Sequence, residues 1–85
     1  MSLATFIHSK RFDEDFLKLP AHVQARIEAK LFVMAGRLER FPHYQMTGSK
    51  NFRLRVGDYR IVYSFDIAAR TVHLIAVGNR REIYR

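Results

Sequence analysis

The spacing of apolar residues changes along the chain and divides it into segments of different predicted structure. Residues 3–8 are mostly apolar and partly β-branched, which predicts a first strand. From Phe12 the apolar positions recur every three or four residues, a period typical of helices. A first helix is expected after Ser9, which suits an N-cap, and it ends at Leu19-Pro20 because the residue before a proline disfavours the α conformation. Residues 21–38 carry one apolar stripe and predict a second helix.

A period of two replaces the helical spacing in the second half of the chain. A loop that contains a proline and a glycine is expected at residues 41–49. Polar and apolar residues then alternate over residues 51–56, and a return strand is predicted at residues 59–65. Between them, Gly57-Asp58 suits a two-residue type II′ turn, so these segments are predicted to form a β-hairpin.

The last predicted elements are a second turn at residues 66–70 and a final strand. Residues 71–77 form a nearly continuous apolar run, as in a central strand, and Gly78-Asn79 is expected to end it. The order is β-α-α-β-β-β. It predicts an α+β fold in which an N-terminal helical hairpin packs on one face of a mainly antiparallel four-stranded sheet. With 85 residues, we expect a single domain over residues 1–85.

The two-residue turn determines which side chains share a face of the predicted hairpin. Six apolar side chains lie on one face, in the pairs Val56–Tyr59, Leu54–Ile61 and Phe52–Tyr63. On the other face, Arg55 is opposite Arg60 and Arg53 is opposite Val62, while Asn51 is expected to face Ser64. Like charges directly opposite each other are destabilising, and a bound anion would offset that repulsion. Exposed arginines also protect strands from aggregation, so register alone leaves both interpretations open.

The distribution of charge favours an anionic partner for the arginine face. The chain has 15 Lys and Arg against 8 Asp and Glu, a formal net charge of +7. Residues 1–49 hold seven basic against five acidic side chains, whereas residues 50–85 hold eight against three. Arginine suits bidentate contacts with phosphate, so this face and the basic tail predict a nucleic-acid or phosphate surface.

Several other classes of function are not indicated by the sequence. The chain has no cysteine, which excludes disulfides and a cysteine zinc site. No carboxylate pair, glycine-rich phosphate loop or His/Asp metal spacing is present, so no metal or cofactor is predicted. The N-terminal apolar stretch is too short for a signal peptide, and no window is long enough for a transmembrane helix. We therefore expect a cytoplasmic protein without a membrane partner.

Two segments of the chain resemble a known family. Gly57–Tyr63 is G-D-Y-R-I-V-Y, and residues 77–84 are V-G-N-R-R-E-I-Y. Together with the preceding strand, helices and loop, they resemble the RelE/ParE superfamily of small bacterial toxins over almost the whole chain. The resemblance implies a toxin of a type II toxin–antitoxin system, neutralised by a cognate antitoxin. The complex often represses its own operon, so operator DNA is expected as a partner only through that complex.

RelE-like members cleave mRNA in the ribosomal A site, without metal, by attack of a 2′-hydroxyl. The resemblance implies that the catalytic residues are Arg60, Arg80, Tyr84 and Arg53. Arginines can stabilise the charge of the phosphorane but are poor bases, so Tyr84 would be the acid or base. RNA or phosphate contacts are expected from Lys50, Asn51, Arg55, Arg81 and Arg85.

The family pattern has two basic residues before the hairpin turn, and here they map to neutral Asn51 and to Arg53. Lys50 or Arg55 could compensate for the missing charge, although Lys50 would lie on the opposite side by strand alternation, so this departure leaves the general base open. A ParE-like toxin that inhibits DNA gyrase is one alternative, although retention of Arg80 and Tyr84 argues against it. The other is a catalytically weak relative that acts mainly in the antitoxin complex and in operon repression.

Histidines and aromatic residues are further candidates for the site. His43, in the loop before the basic strand, could reach it and act in acid–base chemistry, and His73 is a weaker candidate in the last strand. Aromatic side chains of the hairpin could stack on bases, but their period-two spacing favours the core for Phe52, Tyr59, Tyr63 and Phe65.

Overall fold

The computed structural model describes residues 3–79. Its elements are β1 (Thr5–His8), α1 (Lys10–Leu17), α2 (Ala21–Gly36), β2 (Tyr44–Gln45), β3 (Phe52–Val56), β4 (Tyr59–Asp66) and β5 (Thr71–Asn79). The sheet order is β1-β5-β4-β3-β2. Among the pairings of these described strands, β1–β5 is parallel and the other three are antiparallel. The predicted α+β fold, with the helices on one face of a mainly antiparallel sheet, is confirmed.

Within residues 3–79 the sheet has five strands, so the prediction of four was wrong. The additional strand, β2, lies inside the segment predicted to be a loop, and it pairs Tyr44 with Arg53 and Gln45 with Phe52. The Met46 amide extends this pairing by donating to the Asn51 carbonyl over 2.9 Å. A two-residue strand is too short to show a period, and its pairing depends on the neighbouring edge of β3.

Strand β5 is longer than predicted, because Gly78-Asn79 does not end it. Gly78 pairs with Arg60 and Asn79 pairs with Tyr59, so β4 supplies a partner up to Asn79. The ladder also contains a β-bulge, since Val62 pairs with Ala76 and the next residue, Tyr63, pairs with Leu74. The extra residue, Ile75, shifts the alternation of side chains along β5.

Both helices begin where predicted and end two residues early. Ser9 is the N-cap of α1, and its Oγ accepts a hydrogen bond from the Phe12 amide over 3.0 Å. The same hydroxyl donates to the carbonyl of Ile75 over 2.6 Å, which ties the start of α1 to the bulge of β5. Helix α2 ends at Gly36 because Arg37 has a non-helical backbone, although Leu38 still packs in the core. Within residues 3–79, neither helix meets the length and apolarity required of a membrane span.

The hairpin of β3 and β4 has the predicted turn and register. Gly57 has φ of +60°, whereas Asp58 has a negative φ, which fits a type II′ turn and excludes type I′. All five predicted pairs from Val56–Tyr59 to Phe52–Tyr63 form. The ladder ends there, so the expected pair of Asn51 with Ser64 does not form.

The main core lies between the helices and the inner face of the sheet. Its fully buried side chains come from both layers: Phe12, Ile27, Met34, Leu38, Ile61, Tyr63, Val72 and Leu74. On the outer face, the buried apolar side chains of the described part of the chain are Val62 and Ala76, with Met46 and Ile75 packed against them. The remainder of the outer face is therefore open to polar and charged residues.

Candidate nucleic-acid interface

Three arginines share the outer face of the β3–β4 hairpin. Arg55 pairs with Arg60, and Arg53 lies two residues earlier on β3. Directly opposite side chains have Cβ atoms about 4.5–5.5 Å apart, so the Arg55–Arg60 pair concentrates positive charge. Arg53 and Arg55 are exposed and Arg60 is half-buried. Neither Arg53 nor Arg55 forms an ion pair with any side chain of residues 3–79.

The Arg55 guanidinium is held close to the turn. Its Nε donates a hydrogen bond to the Gly57 carbonyl over 3.2 Å. This contact uses one edge of the guanidinium and leaves its two terminal nitrogens available for an anion. A fixed donor of this kind loses less freedom on binding than a mobile one does.

A cleft lies beside these arginines, where β2 ends and the edge of β3 is uncovered. It has a volume of about 390 Å³. Its lining residues are Lys30, Phe41, Pro42, Tyr44, Arg53, Leu54, Arg55 and Arg60. Sequence reasoning missed Tyr44 and Lys30. Tyr44 could have been found because tyrosine favours strands and follows shortly after Pro42. No local pattern in the sequence connects Lys30 on α2 to the edge of β3.

Lys50 and Asn51 lie in the turn between β2 and β3. The Asn51 amide donates to Ser49 Oγ over 3.0 Å. Lys50 lies outside any strand, so strand alternation does not determine which side of the sheet it faces. The expectation that Lys50 lies on the side opposite the arginines therefore has no basis in alternation. Its side chain is exposed, and Asn51 is half-buried.

The expected contributions of Arg80, Arg81, Tyr84 and Arg85 lie outside the described residues. Asn79 is the last described residue, and it pairs with Tyr59, the residue before Arg60. The sequence places the basic tail directly after Asn79.

His43 packs on the inner face of the sheet, away from the arginines. Its Nε2–H donates to the Leu38 carbonyl over 2.7 Å, and its Nδ1 is hydrogen-bonded to the Tyr63 hydroxyl over 2.6 Å. Its ring stacks on Phe65 with centroids 4.0 Å apart. Tyr63 is fully buried, and this burial raises the pKa of its phenol above the ordinary value. His43 therefore anchors the loop to the core, and its expected reach to the arginine site was wrong.

The other aromatic residues of the hairpin also belong to the core. Phe52 stacks with Tyr63 at 5.9 Å and contacts Phe65 at 4.9 Å, and Tyr59 packs against the same cluster. This confirms the core interpretation of their spacing. His73 does lie on the outer face, opposite Ser64. Ser64 is four residues along β4 from Arg60, a distance of roughly 13 Å.

No group of three or more His, Asp or Glu side chains in the described part of the chain is arranged to hold a metal ion. The chemistry that this surface offers is the binding of an anion by closely spaced guanidinium groups. Two adjacent arginines and a third along the strand can contact successive oxygens of a phosphodiester.

Solved structures of toxins share this fold. The RelBE2 toxin–antitoxin complex from Mycobacterium tuberculosis matches with a TM-score of 0.77 and 24% identity, covering 96% of this chain and 97% of that one. The intact RelBE complex from Escherichia coli matches with a TM-score of 0.73 and 21% identity, covering 89% and 95%. A mutant of the E. coli toxin RelE in the free state matches with a TM-score of 0.79 and 17% identity, covering 99% and 90%.

The comparison with family models identifies the family itself. No curated protein sequence gives a significant match. The model described as the ParE toxin of the type II toxin–antitoxin system, parDE, matches residues 6–84. This match, together with the shared fold, confirms the resemblance to the RelE/ParE superfamily. Because the match spans nearly the whole chain, the protein belongs to the ParE toxin family of type II toxin–antitoxin systems.

Proposed function

We propose that this toxin is a metal-independent mRNA endoribonuclease of the RelE type, which acts on the ribosome in the cytoplasm. The observation that carries the proposal is the outer-face cluster of Arg53, Arg55 and Arg60, fixed by the register of the hairpin. Such a cluster supplies preorganised positive charge where a phosphodiester would bind. In the sequence, Arg80 directly follows β5 and Tyr84 comes four residues later.

The proposed reaction is transesterification within the RNA strand. The 2′-oxygen attacks the adjacent phosphorus, the bond from phosphorus to the 5′-oxygen breaks, and the products end in a 2′,3′-cyclic phosphate and a 5′-hydroxyl. Arg60 and Arg80 stabilise the charge of the phosphorane, with help from Arg53. Tyr84 moves a proton, either from the 2′-hydroxyl or to the leaving oxygen. Lys50, Asn51, Arg55, Arg81 and Arg85 hold the flanking phosphates.

The limited acid–base chemistry of this surface supports dependence on the ribosome. Arginine remains protonated at physiological pH and is a poor base. His43 is committed to Tyr63 and Leu38 on the other side of the sheet. A site that relies on charge and alignment gains most from a partner that holds the RNA in position, and the ribosome supplies this alignment.

A cognate antitoxin is the second proposed partner. The similar structures from M. tuberculosis and E. coli are toxin–antitoxin complexes. An antitoxin segment that covers the basic face would block RNA, and the complex would bring this toxin to operator DNA.

Cleavage of mRNA on purified ribosomes tests the proposal. Ribosomes programmed with a defined mRNA are incubated with the full-length chain, and primer extension maps the ends. We expect cuts in the A-site codon that need ribosomes, disappear with Arg60→Ala and fall strongly with Tyr84→Phe. Arg40→Ala removes an exposed arginine outside the proposed site and should leave cleavage intact. Intact transcripts with wild-type protein, or unchanged cleavage with Arg60→Ala, would contradict the proposal.

The family model itself favours one alternative, since its description is of ParE, whose branch acts on DNA gyrase. A gyrase supercoiling assay with the same protein separates the two activities. Loss of supercoiling with intact mRNA would establish the gyrase function. Asn51 supports a third outcome, a catalytically weak relative that acts in the antitoxin complex and in repression. Inactivity in both assays, with retained antitoxin binding, would favour that role.

A further inference from the structure

The cleft beside the arginine cluster has the composition of a binding site for single-stranded nucleic acid. Four of its eight lining residues are Lys or Arg, and no carboxylate lines it within the described residues. One of these cations, Lys30, comes from α2 and extends the positive charge from the sheet face around the edge of β3. An RNA strand bound at Arg55 and Arg60 can therefore continue along this edge with its phosphates near cations.

The edge of β3 is open in the part of the cleft nearer the turn, beyond the pairing of Tyr44 with Arg53. Within residues 3–79, strand β2 pairs with Phe52 and Arg53, and the residues of β3 nearer the turn have no strand partner on that side. Tyr44 is at the point where β2 pairs with Arg53, and its side chain shares the outer face with that arginine. The cleft thus has an aromatic ring at one end and cations along its length.

Tyr44 differs from the neighbouring aromatic residues because its ring is exposed. Its exposed fraction is 63%, whereas Phe41, Phe52 and Phe65 pack against the core. Within residues 3–79 the Tyr44 side chain makes no hydrogen bond and no ring contact. A ring with an open face beside a phosphate-binding arginine is the arrangement of a base-stacking platform.

We propose that Tyr44 stacks on an unpaired base of the RNA that flanks the scissile phosphate, and that Lys30 contacts a phosphate further along the same strand. This inference rests on the proposed function and deepens it, because it adds a base-binding subsite to the arginine site. The stack is tolerant of sequence, since every base offers a π-face, and it holds the strand along the β3 edge while Arg55 and Arg60 hold the backbone.

Binding of a short unstructured RNA by the full-length chain tests the stack separately from cleavage. The probe is a fluorescent 2′-O-methyl oligonucleotide of about ten nucleotides, which lacks the attacking hydroxyl, and its anisotropy is followed over a range of salt concentrations. Tyr44→Ala should weaken binding at least about fivefold at every salt concentration. Tyr44→Phe should bind within about twofold of wild type, because it keeps the ring.

The salt dependence distinguishes stacking from charge. Tyr44→Ala should leave the slope of log affinity against log salt unchanged, because it removes no cation. Lys30→Gln should reduce the magnitude of that slope by about 0.7, the value expected for one phosphate contact with a single strand. An oligonucleotide with abasic residues should bind wild type and Tyr44→Ala equally. Phe32→Ala is the matched control, since Phe32 is another exposed aromatic residue, 66% exposed on α2.

The outcomes separate this inference from the proposed function. If Tyr44→Ala binds as wild type while Arg55→Ala and Arg60→Ala weaken binding, the stacking platform is wrong and the arginine site stands. If Tyr44→Phe is as weak as Tyr44→Ala, the hydroxyl and not the ring is responsible, which also overturns the proposal. If Tyr44→Ala changes only the affinity for the antitoxin, the cleft is a protein-binding site and not an RNA subsite. If the arginine variants change neither binding nor cleavage, the proposed function fails as well.

Discussion

Replacing Arg55 with glutamate is expected to stabilise the fold and to weaken its binding of RNA. Arg55 and Arg60 are directly opposite each other on the outer face, so their charges repel in the free protein. Arg55→Glu converts this repulsion into attraction between opposite charges. It also removes the exposed hydrogen bond from Arg55 Nε to the Gly57 carbonyl, a smaller loss.

The expected gain is about 0.5–1 kcal/mol of unfolding free energy, from cross-strand pair energies of about 0.2–1 kcal/mol. For a domain of this size, that is a rise in melting temperature of about 2–8 °C. The gain should shrink between low and high salt, because the pair is exposed and screened. Thermal and urea unfolding at low and high salt measure both effects.

The matched control is Arg53→Glu, which makes the same change of charge on the same strand. Arg53 is opposite Val62 on β4, so this variant gains no charged partner there. A double-mutant cycle with Arg60→Gln isolates the energy of the pair. Equal stability changes for Arg53→Glu and Arg55→Glu, or a pair energy of zero in the cycle, would refute the argument from register.

Three further substitutions test the contacts that position this face. Ser9→Ala removes the cap of α1 and the bond to Ile75, and urea unfolding should show a loss of about 1–2 kcal/mol that Ser9→Thr largely restores. Gly57→Ala puts a Cβ on a residue with φ of +60° and should cost about 1–2 kcal/mol in the same assay, with less loss for Gly57→Asn. Tyr63→Phe tests the buried phenol through pH. Burial raises the pKa of Tyr63 in the folded state. Above about pH 10 the unfolded chain therefore loses the phenol proton while the native protein keeps it. The unfolding free energy of the wild type falls in this range by at most about 1.4 kcal/mol per pH unit. The phenylalanine variant lacks this term, so its deficit against wild type should narrow from about pH 9 to pH 11; a constant difference would contradict the raised pKa.

The hairpin could be predicted from the sequence because its determinants are local. A two-residue turn permits one register, and Gly57 supplies the positive φ that a type II′ turn needs at its first position. The alternation of apolar and basic residues then assigns the two faces. Arg55 and Arg60 could therefore be paired without any knowledge of the rest of the fold.

The elements that escaped prediction depend on contacts distant in the sequence. The apolar run in β5 suggested a continuous central strand, but Leu74 and Val77 both face the core only because Ile75 is an extra residue between them. The position of this bulge is determined by pairing with β4 and by the bond from Ser9 to the Ile75 carbonyl. Neither contact leaves a periodic signal in the sequence.

The candidate site shows the same division between local and distant determinants. The arginine pair followed from register, whereas the cleft needs Lys30 from α2 and Tyr44 from β2. Proximity in sequence was misleading for His43, which adjoins Tyr44 along the chain but faces the inner side of the sheet. In an extended segment, the side chains of successive residues point to opposite faces of the sheet.

Formation of the core and placement of the arginines are consequences of one register. The turn that pairs Leu54 with Ile61 under the helices also pairs Arg55 with Arg60 on the open face. A slip of one residue on β3 would turn its arginines into the core and its apolar side chains into solvent, and buried unpaired charges are strongly destabilising. The hydrophobic core therefore imposes the geometry of the basic face. The repulsion between the arginines of this face is small compared with the free energy that holds the register. The fold can therefore keep these cations close together for a phosphodiester without any ligand to assemble them.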